Sequence, residues 1–176
     1  MILNLIEKFA LGKYGEWFGL LCRLTLGGVL FAAGWLKIFT PAKSQMAVRA
    51  YEVLPISLAN FLGIFLPWFE VALAIFLILG IFIRPAAIAS ALLMLMFIGA
   101  IASVWARGML IDCGCLGGGG AIDPSKATEA RIAYAVDIVR DIAFVGMCLY
   151  IFKYPYGKFS MDKKPKTTTQ ASEDQE

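Results

Sequence analysis

Four long apolar stretches dominate the pattern of hydrophobic and polar positions along the chain. They cover residues 17–39, 58–83, 85–106 and 132–152. A helix of such a length crosses the hydrocarbon core of a bilayer, which is ~30 Å thick. Because backbone amides in lipid must be paired within the protein, helices are favoured over irregular structure. The pattern therefore predicts an all-α protein, an integral membrane four-helix bundle over residues 17–152.

Two shorter segments are predicted to lie on the membrane surface. Residues 1–16 carry apolar side chains at helical spacing opposite charged ones, which indicates an amphipathic surface helix; a disordered tail is the alternative. This segment lacks the basic start and small-residue cleavage site of a signal peptide. Thr40 and Pro41 form a helix start signal, so residues 41–54 are predicted to form a short surface helix between spans 1 and 2.

Proline marks the other boundaries. Arg84-Pro85 predicts the turn between spans 2 and 3, because proline cannot continue the preceding helix. Asp123-Pro124 repeats the start signal, so the fourth helix is expected to begin before it enters the membrane. Residues 153–176 are polar and predict a disordered tail.

Composition agrees with a membrane protein and excludes several functions. Of the 176 residues, 60% are hydrophobic and only 16% are charged, whereas charged residues make up about 25% of a soluble domain. The net charge is +3, with no basic block inside the apolar part, which argues against a nucleic-acid partner. The absence of histidine excludes histidine-based catalysis and histidine ligation of a metal or haem.

Lysine and arginine outside the spans predict the orientation. With four crossings, both termini and the Arg84 turn share one side, and this side carries more basic residues than the other. The positive-inside rule then predicts a multi-pass protein of a bacterial inner membrane with cytoplasmic N- and C-termini. The loop between spans 3 and 4 would face the extracytoplasmic side, where disulfide chemistry normally operates.

That loop contains the strongest chemical signal in the chain, the pair Cys113 and Cys115. A disulfide between thiols this close is expected to be strained, and strained, exposed disulfides tend to be labile and catalytic. Gly114 between them carries no Cβ, which helps the backbone bend. The pair is therefore interpreted as a catalytic redox centre. The alternatives are a structural staple, two packed thiols, or half of a metal site that would need two further ligands.

Cys22 and Cys148 form a possible second redox pair. Each lies a few residues inside the predicted cytoplasmic end of its span. The first and last helices of a four-helix bundle are usually neighbours, so the two thiols could relay electrons from the inner side. The alternative is that cysteine serves here as a small apolar residue at a helix contact.

Five ionisable residues within the spans are accessory candidates: Arg23, Glu70, Asp137, Arg140 and Asp141. Charges in lipid are costly, so they must pair, face the interior or approach an interface. Arg23 is a candidate partner for Glu70, with Asp141 as the competing partner for Arg23. Asp137, Arg140 and Asp141 share one helix face, where they could stabilise a thiolate and pass protons or form a purely structural ion-pair network.

Lys37 and the aromatic residues of span 2 complete the candidates. Lys37 lies at the outer end of span 1, where it could snorkel to the interface or lower the pKa of a loop thiol. Span 2 carries Phe61, Phe65, Trp68 and Phe69, an aromatic density that is compatible with a bound quinone, although such residues more often face lipid or the core.

Residues in spans 1, 2 and 4 and in the loop between spans 3 and 4 also carry a family resemblance. They are Arg23, Gly27, Phe31, Ala33-Gly34, Lys37, Pro67-Trp68, Glu70, Gly80, Arg107-Gly108, Cys113-Gly114-Cys115-Leu116-Gly117, Asp123-Pro124 and Arg140-Asp141. In this pattern the chain resembles the membrane family that groups DoxX with the methylamine utilisation protein MauE. The glycine run from Gly117 to Gly120 departs from the pattern.

The resemblance implies a four-helix membrane bundle associated with thiol–disulfide chemistry. The MauE branch is tied to disulfide formation in a periplasmic enzyme, and the DoxX branch to thiosulfate:quinone oxidation. Quinone is accordingly the one cofactor that the resemblance implies, and no metal is expected. Some relatives lack the cysteines.

The leading expectation is a membrane thiol–disulfide oxidoreductase, or the membrane redox partner of one. Cys113 and Cys115 would exchange electrons with an extracytoplasmic thioredoxin-like protein. The alternative is a non-catalytic membrane subunit that anchors a respiratory or sulfur-oxidising complex. A third interpretation, small-molecule transport, has only Arg23 and Glu70 in its favour and lacks an internal repeat.

Overall fold

The computed structural model describes residues 13–112 and 120–155. Its helices are α1 (Lys13–Ile38), α2 (Pro41–Ala50), α3 (Ile56–Leu79), α4 (Ile83–Ala106) and α5 (Ala127–Lys153), with a 3₁₀ turn at Pro124–Lys126. Two short strands, β1 (Ile111–Asp112) and β2 (Gly120–Ala121), pair between α4 and α5. The fold is mostly helical, as predicted, and the strand pair was not expected. Most of the amino-terminal segment and of the polar tail lies outside the described residues.

Three of these helices are long and apolar enough to cross a membrane. They cover Gly15–Ile38, Ile56–Leu79 and Ile83–Ala106. The fourth long helix, α5, has 27 residues but carries charged side chains along its length, so it does not meet the same measure. The fourth crossing therefore stays a prediction.

Local backbone chemistry moves two predicted boundaries. Helix α2 begins at Pro41 as predicted but ends at Ala50 rather than residue 54. Thr40 does not cap it, because its hydroxyl donates instead to Leu36 O of the preceding helix at 3.0 Å. In this connection Glu52 adopts a positive φ of 50°.

The turn between α3 and α4 precedes the position predicted for it. Gly80 has a left-handed conformation (φ 72°) and its N–H donates to Phe76 O at 2.9 Å, which ends α3. Helix α4 starts at Ile83, so Pro85 belongs to its first turn, where a missing N–H costs nothing. The prediction that Arg84-Pro85 forms the turn itself was wrong.

Glycines allow unusually close helix packing around α3. A Cβ at Gly34 of α1 would lie 2.7 Å from Pro67 O, and one at Gly63 of α3 would lie 2.6 Å from Gln45 Cα of α2. Neither position accommodates a side chain without displacing backbone. Small residues at helix contacts are typical of membrane proteins, where association depends on close packing.

Helix α2 also supplies a hydrogen-bond donor that is missing from the backbone ladder of α3. Pro67 lies inside α3 and has no N–H, so the carbonyl of Gly63, four residues earlier, loses its helical donor. The buried Ser44 hydroxyl donates to Gly63 O at 2.6 Å and replaces that donor. The short helix is thus tied to α3 at the point where α3 needs an external partner.

We expect Ser44→Ala to lower the free energy of unfolding by about 1–2 kcal/mol, because a buried carbonyl loses its hydrogen bond. In a Pro67→Ala background, residue 67 regains its N–H and the same substitution should cost much less. Thermal unfolding of the four proteins in detergent measures this cycle. An equal cost of Ser44→Ala in both backgrounds would show that Ser44 does not substitute for the missing donor.

Candidate functional site

The predicted redox pair, Cys113 and Cys115, lies outside the described residues, but both ends of its segment are described. Asp112 and Gly120, which flank residues 113–119, are paired across the two-stranded ladder. Next to them, Ile122 N donates to Leu110 O at 2.9 Å. The segment therefore leaves and re-enters the fold at one point, here called the loop base (residues 109–112 and 120–122).

Tyr134 of α5 anchors this loop base. Its hydroxyl accepts from Ile111 N at 2.8 Å and lies 2.7 Å from Ile111 O and 3.2 Å from Met109 O. The side chain is 2% exposed and packs in a small core with Ile101 and Val104 of α4. Sequence analysis missed this residue, although a buried tyrosine hydroxyl usually has a hydrogen-bond partner.

Helix α2 lies on the same side as the loop base. A Cβ at Gly120 would lie 3.4 Å from Met46 Cε, so β2 contacts the short helix directly. Arg107, just after α4, donates to Tyr51 O, which follows α2. The loop base is thus held by both α2 and α5.

Asp123 starts the last helical segment, again as predicted. Its Oδ1 accepts from Ser125 N at 2.9 Å. This backbone hydrogen bond to the ionised form holds the pKa of the exposed carboxyl below its ordinary value.

Lys37 and Glu70 form an ion pair between α1 and α3. Lys37 Nζ lies 3.0 Å from Oε1 and 3.2 Å from Oε2 of a carboxylate that is 1% exposed. The ammonium also lies 5.6 Å from the centroid of the Phe97 ring. Lys37 therefore points into the protein and does not snorkel to the interface, and the partner of Glu70 is Lys37 rather than Arg23.

Arg23 serves the carboxyl end of α3 instead. Its Nε donates to Leu77 O at 2.9 Å and its Nη2 to Ile78 O at 3.4 Å. These are carbonyls of the last helical turn, which lack helical donors, and a cation there also suits the helix dipole. Neither Glu70 nor Asp141, the partners considered from sequence, is bonded to Arg23 by these two donors.

The charged face of α5 forms the predicted ion-pair network. Arg140 Nη1 lies 2.8 Å from Asp137 Oδ1, and Arg140 Nη2 lies 2.9 Å from Asp141 Oδ1. Asp141 is 1% exposed, and its Oδ2 is buried without a hydrogen-bond partner among the described residues. The network itself is observed; its role in thiol chemistry stays a prediction.

Three cavities border these charged groups. A small one, of about 30 Å³, lies between α1, α3, α4 and α5 and is lined by Lys37, Glu70, Arg140 and Asp141 together with apolar side chains. A larger one, of about 370 Å³, lies under α2 and also reaches Lys37 and Glu70. The third, of about 380 Å³, lies beside the loop base and is lined by residues that include Asp112 and Asp137. They are called the small, the large and the loop-base cavity below.

The remaining candidates are placed in the core or on the surface. Cys22 and Cys148 are free thiols, 3% and 1% exposed, and belong to the same hydrophobic core. Phe61, Phe65 and Trp68 are exposed on α3, and none of them lines one of the three cavities described above. Residues 13–112 and 120–155 contain no cluster of three or more histidine, cysteine or acidic residues that could hold a metal ion.

Comparison with known proteins points to one family. A family model described as methylamine utilisation protein MauE matches residues 15–153. The methylamine utilization protein MauE of Paracoccus denitrificans is 35% identical over 98 residues, which is 55% of this chain and 53% of that protein. The chain thus spans about half the length of the curated relative that it matches. No solved structure matches it. The MauE part of the resemblance is confirmed, and the link to DoxX stays a prediction.

We expect Tyr134→Phe to loosen the loop base, because the buried Ile111 N–H loses its acceptor. The loss of about 1–3 kcal/mol for such a group corresponds to amide exchange at Ile111 and Asp112 that is roughly 10- to 100-fold faster. Hydrogen–deuterium exchange of the peptide that contains β1 measures it. Tyr154→Phe is the matched control, since the Tyr154 hydroxyl is buried without a partner in the described structure. Unchanged protection of β1 in Tyr134→Phe would contradict the anchoring role.

Proposed function

The chain belongs to the methylamine utilisation protein MauE family, and from this premise we propose that it is a membrane thiol–disulfide oxidoreductase or the membrane redox partner of one. Cys113 and Cys115 exchange electrons with an extracytoplasmic thioredoxin-like protein. The observation that carries the proposal is the loop base, in which Asp112 and Gly120 pair and Tyr134 anchors the strand that leads into the cysteine segment.

An anchored base suits thiol exchange with a second protein. The strand before the cysteine segment is bonded to Tyr134 of α5, the strand after it contacts α2, and the two strands pair, so a partner would meet the two sulfurs at one defined place on the membrane domain. The cysteine segment between these fixed ends, residues 113–119, is short. The proposal also requires that α5 crosses the membrane, that both termini are cytoplasmic, and that the loop is extracytoplasmic.

The exchange is balanced in electrons and protons. One loop thiolate attacks the partner's disulfide, and a mixed disulfide forms while the partner's other sulfur leaves as a thiolate. The second loop thiol then attacks the mixed disulfide, which releases the partner as a dithiol and leaves a Cys113–Cys115 disulfide. Two electrons and two protons pass to the partner. The reverse sequence oxidises a partner dithiol, and this direction requires an oxidant for the loop.

Quinone is the oxidant class that we propose. The large cavity under α2 is mostly apolar and has Lys37 and Glu70 at one end, which suits a ring with an apolar body and carbonyl acceptors. Lys37 Nζ has three N–H donors and bonds to the two oxygens of Glu70, which leaves donor capacity for a quinone carbonyl. The cavity, rather than the exposed aromatic residues of α3, is the proposed binding place.

The family name suggests where the redox partner belongs. The relative from Paracoccus denitrificans is named for methylamine utilisation. We accordingly place this chain as an accessory membrane protein of such a system, with a disulfide-containing or thioredoxin-like extracytoplasmic protein of that system as the partner. Kinship to DoxX would extend the same chemistry to sulfur-oxidising complexes.

We expect the double substitution Cys113→Ser, Cys115→Ser to shift the redox state of extracytoplasmic protein thiols in cells, as measured by alkylation and gel mobility. Each single substitution should capture a partner as a mixed disulfide that disappears on reduction. The double substitution Cys22→Ser, Cys148→Ser is the matched control, because it removes the same number of sulfurs from the core. A similar shift in this control would indicate that the inner cysteine pair also takes part in electron transfer.

A different result would favour the alternative function. If the variant without loop cysteines leaves all extracytoplasmic thiols unchanged and still supports an intact, fully active complex, the chain is a non-catalytic membrane subunit. In that case the buried ion pairs and helix contacts, rather than the sulfurs, account for its role.

We expect Ala100→Phe to weaken binding of a short-tailed ubiquinone at least tenfold, because Ala100 lines the large cavity and a phenyl ring would fill it. Ala102→Phe is the matched control, since that residue is exposed on the same helix. Calorimetric titration of the purified chain in detergent measures both. Equal affinities of the two variants would exclude the large cavity as the quinone site.

A further inference from the structure

A continuous row of charged side chains joins the loop-base cavity to the large cavity. It begins at Asp137, which lines the loop-base cavity, and passes through Arg140 to Asp141. Across the small cavity it continues to Glu70 and Lys37, which also line the large cavity. Each step is an ion pair or a shared cavity wall.

The charge of this row does not cancel if every group is ionised. Asp137, Asp141 and Glu70 contribute three negative charges, against two positive charges from Arg140 and Lys37. Helix α4, the remaining wall of the small cavity, contributes only Met94 and Phe97 there. A net charge inside an apolar domain is expensive, so holding one proton on the row removes the imbalance.

Asp141 is the group best placed to hold that proton. Both oxygens of Glu70 are bonded to Lys37, whereas Asp141 uses only Oδ1 toward Arg140. Asp141 Oδ2 is buried, has no hydrogen-bond partner among the described residues, and belongs to a side chain that lines the small cavity. A volume of about 30 Å³ accommodates one or two water molecules, at ~10–15 Å³ each.

We propose that this row conducts protons between the loop-base cavity and the large cavity, with Asp141 and water in the small cavity as the central relay. Arg140 keeps its charge and positions the two aspartates, one turn apart on α5. A quinone held in the large cavity would take up two protons on reduction, and a quinol would release two on oxidation. The inference rests on the proposed function, because that reaction is what gives the row protons to carry.

The first test does not depend on turnover. Infrared spectra of the purified full chain in lipid nanodiscs are recorded in H₂O and in D₂O, and the difference between the two should contain a carboxylic-acid carbonyl band. Asp141→Asn should remove this band, and Glu16→Gln, which removes a carboxyl near the start of α1, should retain it. The same band in wild type and in Asp141→Asn would overturn the assignment of the proton to Asp141.

The second test measures proton transfer. In proteoliposomes with dithiothreitol as thiol donor and a short-tailed ubiquinone as acceptor, Asp141→Asn should lower the rate on the order of 100-fold or more. Mixed-disulfide formation at the loop should match wild type, and Asp141→Glu should recover most of the rate and its solvent isotope effect. A rate for Asp141→Asn within about tenfold of wild type contradicts the relay, since a general acid or base typically contributes on the order of 100-fold or more.

The two proposals can fail separately. If wild type binds no ubiquinone and shows no quinone-linked thiol oxidation, the quinone step of the proposed function is wrong. The infrared band then still decides whether Asp141 holds a proton. Should Asp141→Asn fold poorly, Asp137→Asn at the more exposed end of the row provides the second variant, and it should lower the same rate.

Discussion

The ion pair between Lys37 and Glu70 is the interaction on which the interior of this protein depends. It joins α1 to α3 with a carboxylate that is almost fully buried. Removing either partner would leave an uncompensated charge in a low-dielectric environment, at a cost of roughly 3–5 kcal/mol. The pair also forms a wall of both the small and the large cavity, so the same contact that fixes two helices gives each cavity its polar end.

The backbone of α3 explains two further polar contacts. Its ladder is interrupted at Pro67 and it ends at Leu79, and in each place a carbonyl needs a donor from outside the helix. Ser44 supplies one from α2, and Arg23 supplies the other from α1. Lipid offers no water to such carbonyls, so these side chains are structural requirements of a membrane helix that contains a proline. This accounts for Arg23 without assigning it any chemistry.

Hydrophobicity predicted the helices well, because a span is a property of many residues. The bounds of α1, α3 and α4 differ from the predicted spans by a few residues, and the differences follow local caps such as Gly80. The charged network on α5 was also predictable, since residues one turn apart share a face whatever the rest of the fold does. Hydrophobicity alone does not classify α5, because its charges place it between a membrane span and an amphipathic helix.

The partners across helices could not be predicted from sequence. Position along a helix gives the depth of a Cα in the membrane, but the side chains of Arg23 and Lys37 reach several ångströms from it. Lys37 reaches inward to Glu70, and Arg23 turns to backbone carbonyls that carry no sequence signal. Tyr134 was missed because its partners are main-chain groups of a strand pair that only the folded chain creates.

The placement of polar groups connects the cysteine loop with the interior. Tyr134 and Asp137 lie one turn apart on α5; the first holds the loop base, and the second begins the charged row. One helix therefore fixes both the point where the cysteine segment leaves the fold and the groups that lead to the buried cavities. A purely structural network would not need a buried Asp141 Oδ2 without a hydrogen-bond partner in the described structure, since an apolar residue would pack there at lower cost. The unpaired oxygen is the feature on which the proposed conducting row depends.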